Sequence, residues 1–193
     1  MKVVLGLGNP GMTYHRTRHN VGFMIIQALA KRRAVSLDQR LVSKQDHRPA
    51  SVCGDYLLGE ETVRLVMPLT MMNESGDALR DLDIEWKDLM IVCDDVSIPL
   101  GALRMRPQGS AGGHNGLQSC LTQAQTEQIS RLRVGVGSPA MPADLKDYVL
   151  SAFGAEERPV IEKIIEQAAD ACETWVKDGI DATMNRYNTT VQA

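Results

Sequence analysis

The sequence predicts an α/β fold in a single domain over residues 1–193, with a mixed, twisted β-sheet flanked by helices. Three observations lead there. Short apolar runs (2–8, 89–93, 131–137) alternate with amphipathic stretches (21–33, 157–177), the order that builds parallel strands joined by helical crossovers. Two strand-like runs, 50–58 and 62–67, meet at Gly59-Glu60 with hairpin spacing, so part of the sheet is antiparallel. The 193 residues are 44% hydrophobic and 23% charged, a globular composition, and a chain of this length buries roughly 70% of its unfolded surface without a disulfide or metal staple.

Taken in order, Lys2-Val-Val-Leu-Gly-Leu-Gly reads as a buried strand ending in glycines, and Val21, Met24, Ile25, Ala28 and Leu29 place an apolar stripe on a helix over 21–33. In the hairpin, Val63, Leu65 and Met67 alternate with outward positions. A short helix is expected around 73–82, followed by the run LMIVC (89–93), which delivers Asp94-Asp95 at its carboxyl end. Strands at 101–106 and 131–137 bracket a glycine-rich loop, Gly109 to Gly116, and a short helix over 116–124. The longest helix, 157–177, carries Ile161, Ile164, Ile165, Ala168, Cys172, Trp175 and Val176 on one face, with Gly179 as its stop signal.

Composition excludes several classes of function. No apolar run approaches the 18 or so residues of a membrane span, and Lys2 leads straight into VVLGLG without the pattern of a signal peptide. Cys53, Cys93, Cys120 and Cys172 form no C-x-x-C pair, which argues against a zinc knuckle or thioredoxin-like site and fits reduced thiols in a cytoplasmic protein. A net charge of −3 argues at first sight against a nucleic-acid partner, but the charge is divided. Residues 1–37 hold six bases (Lys2, Arg16, Arg18, Lys31, Arg32, Arg33) and no acid. Residues 144–181 hold ten acids against four bases, a local net of −6 that leaves +3 for the remainder. Arg104/Arg106 and Arg131/Arg133 each stand at i, i+2, the spacing that puts both members on one face of a strand. A polyanionic partner is therefore allowed.

Several motifs bear on chemistry. Gly6-Leu-Gly-Asn-Pro-Gly11 matches G-x-G-x-x-G after a strand, but a polar stretch, MTYHRTRH, separates it from the helix that a dinucleotide site needs directly on the glycines. The turn instead places Asn9 and Pro10 rigidly beside whatever binds there. His15 and His19 have the i, i+4 spacing of zinc ligands, yet Arg16 and Arg18 would repel a cation, and arginine flanks suit an anionic substrate better. The loop around His114 and Asn115 is rich in glycine, so backbone can approach a ligand closely, and it lacks the G-K-[ST] ending of a nucleotide P-loop. Asn73, in Thr70-Met-Met-Asn-Glu-Ser-Gly76, reads locally as a helix cap. No G-x-S-x-G elbow is present, so no nucleophile for a covalent intermediate stands out. A His/Asp/Asn set remains, and it suits direct attack by water. His19 takes the proton, Asp94 at a strand end holds the imidazole, and an amide from Asn73 or Asn115 meets the oxyanion or fixes the water. General-base action contributes about 10²–10⁴ in rate, enough for an activated ester.

GLGNPG (6–11), Tyr14 with TRHNVGF (17–23), PLTMMNESG (68–76), the strand ending in Asp94-Asp95, GSAGGHNGL (109–117) and RLRVGVGSP (131–139), in this order, closely resemble bacterial peptidyl-tRNA hydrolases. The resemblance implies hydrolysis of the ester joining a peptide to the 3′ ribose of tRNA, with peptidyl-tRNA as the partner, no cofactor, no metal and a monomeric enzyme. It makes His19 the base, Asp94 its stabiliser, and Asn9 the residue that recognises the peptide's blocked amino end. Tyr14, Asn73 and Asn115 match positions at the tRNA terminus and peptide, Met71 and His114 are expected to bind substrate beside them, and Arg104, Arg106 and Arg133 match positions at the acceptor-side phosphates. Met71, Cys93, Ser97 and Gln118 depart from the usual phenylalanine, histidine, aspartate and lysine of the pattern, and 138–153, a lid in that family, does not map residue by residue. The rival on the same fold is a non-hydrolytic RNA-binding protein such as the group II intron splicing factors; retention of Asn9, His19, Asp94 and Asn115 favours the enzyme.

Overall fold

The computed structural model describes residues 1–43, 47–80 and 82–188. Among the described residues, seven strands form one sheet in the order β2-β3-β4-β1-β5-β7-β6: β1 (Lys2–Gly6), β2 (Gln39–Val42), β3 (Pro49–Leu58), β4 (Glu61–Pro68), β5 (Leu89–Pro99), β6 (Leu103–Arg106) and β7 (Ser130–Gly137). The central strands β4, β1, β5 and β7 are parallel, while β2, β3 and β6 add antiparallel edges. The mixed sheet expected from the hairpin and the crossovers is present.

Alternation in the central strands sorts side chains to two layers. Val4, Leu65, Met90 and Val92 pack with α1 (Val21–Arg32) and α4 (Arg158–Tyr187). Val3, Leu5, Ile91 and Cys93 pack on the opposite face with α2 (Asn115–Ala124) and the 3-10 turns at Met72–Leu79. Gly8 of the first motif and Gly22 of α1 serve this packing. A Cβ on Gly22 would lie 2.5 Å from the backbone N and O of Leu7, and one on Gly8 would lie 2.6 Å from the Phe23 ring, so α1 sits against the chain leaving β1. Between β1 and α1 come two 3-10 turns, Met12–Tyr14 and Arg18–Asn20. No helix opens on the glycines, in agreement with the rejection of a dinucleotide site.

Several boundaries differ from expectation. The expected helix over 73–82 is a run of 3-10 turns, because side chains engage its backbone: Thr70 Oγ1 donates to Glu74 O, and Ser75 Oγ donates to Met72 O. β5 continues past 93 to Pro99 because β7 keeps pairing with it through Asp95, then across an irregularity to Pro99. Gly179, at φ +81, stops the first helical segment of α4 as expected, but a second segment follows directly and runs to Tyr187. β2, for which no strand was expected, is an edge strand of four residues with mostly exposed side chains. At the other edge, Asn188 covers β6, accepting from Met105 N–H and donating to Met105 O.

The chain leaves β1 on one side of the sheet and returns to β5 on the other, so a crevice opens beyond the carboxyl ends of these neighbours.

Candidate active site

A cleft of about 530 Å³ lies at that switch point. The β1 end contributes Asn9, Tyr14 and His19; β5 contributes Cys93, Asp94 and Asp95; the turns after β4 contribute Met71, Met72 and Asn73; the glycine loop contributes His114 and Asn115; β7 contributes Arg133. Nine of the eleven side chains singled out from the sequence thus share one cleft. Arg104 and Arg106 lie outside it, on β6 beside Arg133 and Arg131 respectively, and form a basic ladder leading away along one face of the sheet. Among the described residues neither has an ion-pair partner.

Asp94, 4% exposed, is the hub. Its Oδ1 accepts from His19 Nδ1 at 2.8 Å and from His114 Nε2 at 3.0 Å. Burial by itself raises the Asp94 carboxyl, but its interactions with His114 and then His19 outweigh it and hold the group well below the usual carboxylate range. The two imidazoles are not equivalent. His114 caps α2: its Nδ1 accepts from Leu117 N–H at 3.1 Å, so its proton is on Nε2 and its lone pair is engaged. His19 uses Nδ1 toward Asp94, which leaves the Nε2 lone pair in the cleft without a partner among the described residues. His114 therefore orients Asp94, and His19 has the free basic nitrogen. His19 Nδ1, Asp94 Oδ1 and His114 Nε2 would also be the atoms to hold a metal, being mutually within 4.8 Å; in this arrangement both histidine nitrogens carry the protons donated to Asp94. The sequence-spaced pair His15/His19 does not converge on this site, since His15 is exposed and does not line the cleft.

Asn9 is buried and fixed at three atoms. Its N–H donates to Asn20 Oδ1 (2.8 Å), its carbonyl accepts from Asn20 Nδ2 (2.9 Å), and its Oδ1 accepts from Met72 N–H (2.8 Å). The side-chain amide nitrogen is left as a donor on the cleft wall. Asn73 does not cap a helix, contrary to the local reading: the cap position is Met71, which makes no side-chain capping bond, and Asn73 is exposed at the cleft rim. The bond from Met72 to Asn9 spans 63 residues, so no local pattern discloses it.

The arginines separate into two groups. Arg18, expected to face an anionic substrate, is buried and paired with Glu157. Arg32 and Arg33 are neutralised by Glu166, Asp170 and Glu173 of α4. Arg131, 1% exposed, donates only to carbonyls, those of Gly109, Ser110, Glu127 and Ile129, and pins the root of the glycine loop. Arg133 reaches the cleft, with Nη1 on Asp95 Oδ2 (3.1 Å) and Nη2 on Ser110 O (3.1 Å). Of the departures from the pattern, Ser97 donates through N–H and Oγ to Asp95 Oδ1, steadying the acid that holds Arg133, while Gln118 is exposed and donates to Thr122. Sequence reasoning missed Asn20 and, having marked 138–153 only as a lid in the family, did not name the wall made by α3 (Leu145–Val149), where Leu145, Lys146, Val149 and Leu150 line the cleft. The i, i+4 apolar pair Leu145/Val149 was the available signal.

A family model for peptidyl-tRNA hydrolase matches residues 3–193. The chain belongs to the peptidyl-tRNA hydrolase family. It is 45% identical over 192 residues to a peptidyl-tRNA hydrolase of Alkaliphilus oremlandii and 41% identical over 192 residues to one of Syntrophomonas wolfei, in each case covering 97% of this chain and 100% of the relative. Among solved structures, the peptidyl-tRNA hydrolase of Acinetobacter baumannii superposes with a TM-score of 0.86 at 27% identity, covering 98% of this chain and 95% of that one. A peptidyl-tRNA hydrolase complexed with N-propanol superposes at 0.88 with 27% identity, covering 100% and 97%. This membership makes the chain an ester hydrolase, and the non-hydrolytic reading of the fold is not favoured. No described helix is long and apolar enough to cross a membrane.

Proposed function

We propose that the protein hydrolyses the ester between a peptidyl or N-blocked aminoacyl group and the 3′ ribose of tRNA, with His19 as general base and without a metal. The observation that supports the base assignment most strongly is the His19–Asp94 bond, which leaves Nε2 in the cleft without a partner among the described residues. A water beside Nε2 attacks the ester carbonyl carbon as its proton passes to His19, and Asp94 stabilises the resulting imidazolium. An amide of Asn73 or Asn115 donates to the oxyanion. The tetrahedral intermediate then expels the ribose oxygen, which takes the proton back from His19, giving the free peptide and a tRNA with its hydroxyl restored.

The Asn9 amide recognises the acylated nitrogen of the peptide, and its three backbone-level ties make it a rigid gauge. Tyr14, Met71 and His114 line the peptide and terminal-nucleotide side of the cleft. Arg133, Arg104 and Arg106 continue outward to meet acceptor-stem phosphates. Such a small number of phosphate contacts gives modest, salt-sensitive binding, suited to an enzyme that releases its tRNA product. The enzyme acts as a cytoplasmic monomer. N-acetyl-aminoacyl-tRNA should be cleaved at full rate in the presence of a chelator. Loss of activity with chelator and its return with zinc would replace this reading with a metallohydrolase built on His19, Asp94 and His114.

A further inference from the structure

His19 sits on a one-turn 3-10 segment, Arg18–Asn20, and that turn is held from its outer side by the residue immediately before the base. The Arg18 side chain is 7% exposed. Its Nη2 donates to Glu157 Oε2 at 2.5 Å, and its Nη1 donates to Ser151 Oγ at 2.9 Å and Ala152 O at 2.6 Å. The guanidinium lies over the Tyr148 ring at 4.4 Å and near the Phe153 ring at 5.0 Å. The backbone makes the same connection: Arg18 N–H donates to Ser151 O, and Thr17 bridges Ala152. Glu157 Oε2 also accepts from Gly154 N–H, so the whole turn from Tyr148 to Glu157 is gathered around one cation.

That turn carries one wall of the cleft. α3 ends at Val149, and its residues Leu145, Lys146 and Val149, with Leu150, face the ligand space. The Arg18–Asn20 turn packs against α3. One side chain thus links the base to that wall.

We propose that Arg18 is a positioning residue for the hydrolysis: it sets the spacing between the His19 imidazole and the α3 wall, so that an ester held against the wall lies within reach of the water His19 activates. The proposal rests on His19 being the base. A buried cation is costly, and an apolar side chain of similar volume would serve stability as well or better. Only the planar fork of an arginine reaches Ser151, Ala152 and Glu157 at once while stacking between two rings. Lysine keeps the charge but not the fork.

The test compares Arg18→Lys and Glu157→Gln with wild type on N-acetyl-aminoacyl-tRNA, beside two controls. Arg64→Lys breaks another forked pair, Arg64 with Asp55 (2.8 and 2.7 Å), on the β3–β4 hairpin outside the cleft. His19→Ala tests the base itself. Arg18→Lys should lower kcat about 10- to 100-fold with KM nearly unchanged, and should shift the His19 ring resonances in NMR. Glu157→Gln, which keeps the arginine, should move both in the same direction by less, and carries the test if Arg18→Lys does not fold. Arg64→Lys should lower the melting temperature without either effect. Wild-type kcat and unshifted His19 resonances in Arg18→Lys or Glu157→Gln, whatever the loss in melting temperature, would overturn the positioning role. If His19→Ala is inactive in that case, the base assignment stands by itself; if His19→Ala is active, the base assignment fails and takes the positioning role with it.

Discussion

Replacing Asp94 by asparagine isolates what the charge does, because an amide oxygen at the same place can still accept from both imidazoles. The carboxylate receives His19 Nδ1 at 2.8 Å and is 4% exposed. In the transition state His19 becomes an imidazolium. Two unit charges about 4 Å apart attract by about 4 kcal/mol at the effective dielectric of a partly buried site. The His19 side chain is 13% exposed, so water screens part of this, and about 2–4 kcal/mol of transition-state stabilisation should be lost, or about 30- to 1,000-fold in kcat. Steady-state kinetics on N-acetyl-aminoacyl-tRNA should show the loss in kcat with KM little changed, since phosphate contacts lie elsewhere. The same variant makes a statement about pH. The folded carboxyl is held below its ordinary value, so its stabilising contribution is complete above the unfolded value of about 3.9 and is lost as pH falls toward the folded one. Chemical denaturation should therefore show Asp94→Asn less stable than wild type at pH 6–8, with the gap closing as the solution is taken below about pH 4. A kcat within threefold of wild type would refute the claim that Asp94 acts through its charge on His19.

The remaining expectations concern selectivity, packing and thiol chemistry. Asn9→Ala should reduce the preference for N-acetylated over free aminoacyl-tRNA, measured as the ratio of kcat/KM values, and an unchanged ratio would make Asn9 a turn residue only. Gly22→Ala puts a methyl against three backbone atoms, Leu7 N and O and Val92 O, none of which can rotate away. It should cost about 3 kcal/mol or more in urea unfolding, at the upper end of overpacking costs, whereas an unchanged midpoint would show that β1 and α1 can separate. The four cysteines are buried and free, and burial pushes the Cys120 and Cys172 thiols up to about 12. Alkylation at pH 8 should be slow in the native protein and complete at four thiols in denaturant; rapid native labelling of Cys120 or Cys172 would contradict that burial.

How much was legible in the sequence depends on whether the cause was local. Apolar periodicity located α1, the hairpin and the start of β5, because each is decided by its own side chains against the core. Asp94 was found from its place at the end of an apolar run, and His19 by its arginine-flanked motif together with the family resemblance. Asn73 was misjudged by local rules because its neighbour's N–H is taken by Asn9, a partner 63 residues from Met72. The basic character of residues 1–37 was real but largely spent internally, with Lys2 paired to Asp88, Arg18 to Glu157, and Arg32 and Arg33 to α4. Arg131 and Arg133 share a strand face as their spacing implied, yet one is sealed under the glycine loop and the other opens to the cleft. That difference arises from the path of a loop two dozen residues earlier, which periodicity does not record. The four-residue β2 lacks the alternation that marks a half-buried strand, so the structure alone showed it.

The central claim is that the Nε2 of His19 removes the proton from the attacking water. Its most direct measurement is single-turnover hydrolysis of N-acetyl-aminoacyl-tRNA by wild type and His19→Ala, each first shown to bind the tRNA equally. The expected result is loss of cleavage by about 10²–10⁴ in the variant with binding intact. Cleavage at the wild-type rate by His19→Ala would contradict it.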